Sequence, residues 1–109
     1  MKYFEDELYE YLYDLCETKN IEFHFACFGD TNKFWSSETN SYFTPNCVDY
    51  YAKNRDDAKE LISYILDTLW KHATKPNHRI ALYIESIEEK DDWINMSVGS
   101  CLFEDDALL

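Results

Sequence analysis

Hydrophobic and polar positions along the chain follow two periods, and the change from one to the other predicts its elements. From Lys2 to Thr18, Phe4, Leu8, Tyr11, Leu12 and Leu15 recur three or four residues apart, which predicts an amphipathic helix that stops near Asn20. Ile21, Phe23, Phe25 and Cys27 then alternate with Glu22, His24 and Ala26, the period of a strand. Gly29-Asp30-Thr31-Asn32 has turn chemistry, because glycine takes positive φ without strain. Between Lys33 and Ala52 the pattern is mixed. Phe34-Trp35 and Tyr42-Phe43 read as short strand pieces around the polar turn Ser36–Ser41. Pro45 argues against a central strand there, since it has no N–H to donate. Cys47-Val48-Asp49-Tyr50-Tyr51 reads as a strand or as an extended lead into the next helix.

A second helix is strongly marked. Asn54 is a good N-cap, and Asp56 and Asp57 fall in the first turn, where the helix dipole favours them. Ala58, Leu61, Ile62, Ile65, Leu66, Leu69 and Trp70 form one broad stripe. Lys71, His72 and Lys75 lie near the carbonyl end, and Pro76 stops the helix. Ile80, Leu82 and Ile84 then alternate with Ala81, Tyr83 and Glu85. After the charged connection Glu88-Glu89-Lys90-Asp91-Asp92, Trp93 to Phe103 returns as a strand with Ile94, Met96 and Val98 on one side. Gly99 is the expected site of a bulge, and the tail from Glu104 to Leu109 is expected to fray. The predicted architecture is α+β: an antiparallel β-sheet of about four to five strands with two helices on one face, in the order α-β-β-(β)-α-β-β.

Composition sharpens this picture. The 109 residues fit one acidic domain spanning 1–109, and 46% hydrophobic residues, with nine Tyr, seven Phe and three Trp, supply a core and spare amphipathic rings. Net charge is −12, from 22 acidic and 10 basic side chains. Such a chain repels phosphate backbones and anionic membranes and attracts basic proteins. The expected partner is therefore a basic protein, with no direct nucleic-acid contact and no membrane contact, met by a monomer or homodimer. Met1-Lys2-Tyr3-Phe4-Glu5-Asp6-Glu7 has no apolar leader, so a cytoplasmic setting is expected. Cys16, Cys27, Cys47 and Cys101 read there as reduced thiols, and no Cys-x-x-Cys pair suggests zinc.

Charge placement singles out one surface. Asp6, Glu7, Glu10, Asp14 and Glu17 recur along the first helix opposite its apolar stripe, flanked by Tyr9 and Tyr13. Asp6–Glu10 and Glu10–Asp14 are like-charge pairs at i,i+4, each costing about 0.2–0.5 kcal/mol, and no Lys or Arg stands between Lys2 and Lys19. Acids one turn apart repeat every ~5–6 Å, the same order as the ~3.4 Å phosphate repeat of a DNA strand. A surface that grips phosphates is suited to grip this ridge, with Tyr9, Tyr13 and further aromatics such as Trp35 or Tyr42 as anchors. Glu88, Glu89, Asp91 and Asp92, near Glu85, form a second acidic group that matters most if folding brings it beside the first helix.

Sites of chemistry are not apparent. His24 and Cys27 fall on opposite faces of a strand, and His72 and His78 flank Pro76 as expected surface residues. No Gly-rich phosphate loop or nucleophile elbow occurs, and Phe23, Phe25 and Phe28 lack the basic surround of an RNA-binding sheet. The expectation is a protein that is no enzyme and uses no cofactor or metal.

In size and charge over the whole chain, the sequence resembles small acidic inhibitors of phages and mobile elements. These include anti-CRISPR and anti-restriction proteins, some of them DNA mimics. It is similar in the same way to immunity proteins that neutralise basic nuclease toxins. The likeness carries over no residue. It implies an inhibitor of a nuclease or defence effector, with toxin immunity as the alternative. An alternative of another class is a small-molecule-binding or enzymatic α+β domain with an aromatic pocket.

Overall fold

In the computed structural model, residues 2–17, 23–26, 34–36, 40–43, 46–76 and 78–104 are described. The elements run α1 (Phe4–Glu17), β1 (Phe23–Ala26), β2 (Phe34–Ser36), β3 (Ser41–Phe43), β4 (Cys47–Ala52), α2 (Arg55–His72), β5 (His78–Glu89) and β6 (Ile94–Glu104). The fold is α+β, with two helices and an antiparallel set of strands, β5, β6 and β4.

One strand departs from the expected antiparallel sheet. β1 lies beside β5 in parallel, Phe23 opposite Ile80 and Ala26 opposite Tyr83, giving the order β1-β5-β6-β4. Alternation of side chains is identical in either direction, so the sequence pattern carries no sign of this. A parallel pair needs a long crossover, and the chain between β1 and β5, which contains α2, provides one. β2 and β3 pair antiparallel with each other, and Asn40 before β3 takes the left-handed conformation at φ 53°. Asn tolerates that conformation better than most residues. The segment Cys47–Ala52, open between two readings in the sequence, is strand β4. The turn expected at Gly29–Asn32 and the side chains of Trp35 and Tyr42 lie outside the described residues.

The core forms where the helical stripes meet one sheet face. Phe4, Leu8 and Leu12 of α1 and Ala58, Ile62 and Leu66 of α2, each set at i,i+4, pack with Ile80, Leu82, Ile84, Ile94, Met96 and Val98. Tyr11, Leu15, Leu61, Ile65, Leu69 and Trp70 flank it, half-buried. Burial of each large apolar side chain contributes about 1.5–3 kcal/mol. α2 has its expected cap: Asn54 Oδ1 accepts from the Asp57 N–H at 2.9 Å. On the opposite sheet face Ala81 and Tyr83 are also buried, packed with Cys47 and Cys101.

Three local expectations are corrected. The irregularity in the β5–β6 pairing falls between Ile84 and Ser86, while Gly99 pairs regularly with Tyr83 and Cys47. Glu85 is thus the extra residue, which lets Ile84 and Ile87 both reach the helix-side core. Glu104 is still within β6, opposite His78. His78 begins β5, and its Nδ1 accepts from the Thr74 and Lys75 N–H groups at 3.0 and 3.3 Å, closing the turn after α2.

Candidate functional site

The outward side of α1 is the candidate interface. Because α1 starts at Phe4, Glu5, Asp6 and Glu7 all occupy its first turn, where the positive end of the dipole stabilises carboxylates. Asp6 and Glu7 thus stand where the dipole favours them. The conflict with the dipole is confined to the other end, while the Asp6–Glu10 repulsion remains. Asp14 and Glu17 lie in the last turn, where no basic residue is present, and both are exposed.

Glu7 is not a free carboxylate. Its Oε2 accepts from Arg55 Nη1 at 2.9 Å, and its Oε1 pairs with Lys59 Nζ. Arg55 and Lys59 stand one turn apart on α2 and reach across to α1. Arg55 Cζ lies 5.5 Å from the Phe4 ring centre, and Lys59 Nζ 5.8 Å from that of Tyr11. Hydrogen bonds from Lys59 and then Arg55 hold the Glu7 carboxyl below its ordinary value, against a smaller opposing effect of burial. Relief for this carboxylate comes from outside the first helix, because both cations stand on the second. Glu7 is a structural tie between helices.

The remaining acids keep their charge toward solvent. Asp6, Glu10, Asp14 and Glu17 are exposed. Glu10 pairs with Lys2, but at side-chain exposures of 67% and 49% such a pair contributes little. Among the described residues, Asp6, Asp14 and Glu17 form no ion pair. Lys2, Asp6, Tyr9, Glu10 and Tyr13 line one open groove, with Tyr13 61% exposed and Tyr9 half-buried. Lys2, which precedes α1, is the residue that sequence reasoning left out of this surface; no helical spacing marks it, since it lies outside the helix.

Folding does bring the hairpin acids to the start of α1. Arg55 also holds Glu89, Nε to Oε2 and Nη2 to Oε1, both at 3.0 Å. Tyr3, Phe4, Glu5, Ile87 and Glu89 line a small cleft of about 210 Å³ there. Glu89 is consequently neutralised like Glu7. Glu88 is 3.4 Å from Lys90, an exposed pair, and Asp91 and Asp92 project from the turn closed by the Lys90 N–H bond to the Trp93 carbonyl. Glu85, on the bulge, accepts from Ser97 Oγ at 3.3 Å.

Neither of the two described thiols, Cys47 and Cys101, is activated. Burial pushes the Cys101 thiol up to about 11, and burial followed by the Glu85 charge raises that of Cys47. Neither forms a disulfide. Among the described residues no group of three or more potential metal ligands gathers, and no helix is long and apolar enough to cross a membrane. Compared with known proteins, the chain matches no family model, no curated protein and no solved structure.

Proposed function

We propose that the protein is a small acidic inhibitor, acting by binding rather than by chemistry, which docks α1 on the basic nucleic-acid-binding surface of a nuclease or defence effector. The observation that carries this reading is the last turn of α1. Asp14 and Glu17 stand there exposed, against the helix dipole and without a basic neighbour in that turn, beside the exposed Tyr13 ring. Local stability is given up at that place, whereas α2 puts Lys71 and His72 in its own last turn. Asp6 and Glu10 extend the charged line, Tyr9 and Tyr13 supply amphipathic anchors, and the net charge of −12 steers a cationic partner toward the surface.

The test is competition. The partner is isolated from the native host and its affinity measured at rising salt, with and without the nucleic acid it acts on. Affinity should fall by about tenfold or more between low and high salt, and nucleic acid should compete with the protein. A salt-independent complex that forms equally well on the nucleic-acid-loaded partner would refute the reading.

A further inference from the structure

A second surface, built from different residues, lies at the edge of the sheet. β4 pairs with β6 along its whole length, and with no other strand among the described residues. The register runs without a bulge from Cys47 opposite Gly99 to Ala52 opposite Ile94. Sheet edges are commonly protected by lysine, proline or a bulge, because unpaired N–H and C=O groups invite another strand. The six residues of β4, Cys-Val-Asp-Tyr-Tyr-Ala, contain no lysine, proline or bulge, and their one charge is the exposed Asp49, which repels an acidic strand but not a basic one. Val48 and Tyr51 on this edge are 53% and 68% exposed.

The two faces of the edge require different neighbours. Val48, Tyr50 and Ala52 stand opposite Val98, Met96 and Ile94, on the side of the helix-covered core. Asp49 and Tyr51 point to the other side. There Asp49 is exposed, and the Tyr51 ring meets Trp93 at 5.6 Å between centroids, tilted by 60°. Trp93 closes the turn that carries Asp91 and Asp92. An incoming strand would place apolar side chains beside Val48 and Tyr50, and cations beside Asp49 and over the Tyr51 ring.

We propose that β4 accepts an extended segment of a partner protein as an added strand, and that this segment alternates apolar and basic residues. Charge selects this occupant over a second copy of the chain, since two molecules of −12 repel and a basic strand is attracted. Backbone pairing supplies affinity, and the alternation supplies specificity.

The probe is a short peptide of alternating lysine and valine, long enough to span β4, added to the isotope-labelled full chain. Alternate β4 amides should shift and exchange more slowly. The same peptide N-methylated at every backbone nitrogen keeps its charge but can donate no hydrogen bond from either edge, and should bind about tenfold more weakly or worse. The double variant V48K/Y51K, checked for fold by circular dichroism, should lose binding to a similar degree. Should that variant unfold, the N-methylated peptide decides alone. Equal affinity for both peptides, or shifts confined to α1, would overturn the proposal. Concentration-dependent protection of β4 without peptide would also overturn it, in favour of self-association.

Discussion

Arg55 and Glu89 face each other fork to fork, with Nε–Oε2 and Nη2–Oε1 both 3.0 Å apart, while the third nitrogen of the same guanidinium reaches Glu7 and the Lys2 carbonyl. One side chain thus joins the start of α2 to the start of α1 and to the end of β5. Lysine provides a charge but not this geometry. Arg55→Lys should therefore lower the melting temperature even though net charge is unchanged. In a double-mutant cycle, Arg55→Lys and Glu89→Gln should be strongly non-additive. Additive effects in thermal unfolding would mean the fork contributes nothing.

Acid stability should depend on Glu7. Its carboxyl sits below the ordinary value of 4.5 in the folded chain, held there by Lys59 and Arg55. In that direction its stabilising effect is fully present above about pH 4.5 and is lost as pH falls through the folded value. Glu7→Gln should flatten the loss of stability between neutral pH and about pH 3, measured by urea unfolding at a series of pH values. An unchanged slope would show that Glu7 is not tied as described.

Core packing gives a calibration of scale. Ile62 is fully buried between the helices and the sheet, so Ile62→Ala should cost about 2–5 kcal/mol in denaturant unfolding. Exposed Tyr64 on the same helix, changed to Ala, should cost well under that, on the order of 0.5 kcal/mol.

Cysteine labelling should separate folded from unfolded protein. With its thiol pushed up to about 11, Cys101 should react with iodoacetamide near pH 8 far more slowly in the native chain than in denaturant. Equal rates, followed by mass spectrometry, would contradict its burial.

Periodicity disclosed the helices because burial follows it directly. Phe4, Leu8 and Leu12, and Ala58, Ile62 and Leu66, are the core-facing rows that their spacing suggests, and Asn54 caps as its chemistry predicts. Strand direction was not legible, because Phe23 and Phe25 alternate alike in a parallel or an antiparallel pair. Gly99 is where the pattern predicts a bulge, but Glu85 carries it, and an exposed charged residue gives no local signal of that role. The acidic ridge was legible as a line of residues, not as a line of free charges. Glu7 and Glu89 are held by Arg55, whose position between them depends on long-range packing. Asp14 and Glu17, two members of that line, stand exposed in the last turn of α1.

That turn supplies the decisive measurement. Asp14→Lys with Glu17→Lys reverses both charges and places cations where the dipole favours them, so the variant should gain about 0.3–1 kcal/mol per site in urea unfolding. Its affinity for the captured basic partner, read by calorimetric titration at low salt, should fall by about tenfold or more. A variant that is more stable and binds the partner as tightly as the natural chain would contradict the account, because α1 would then not be the docking face.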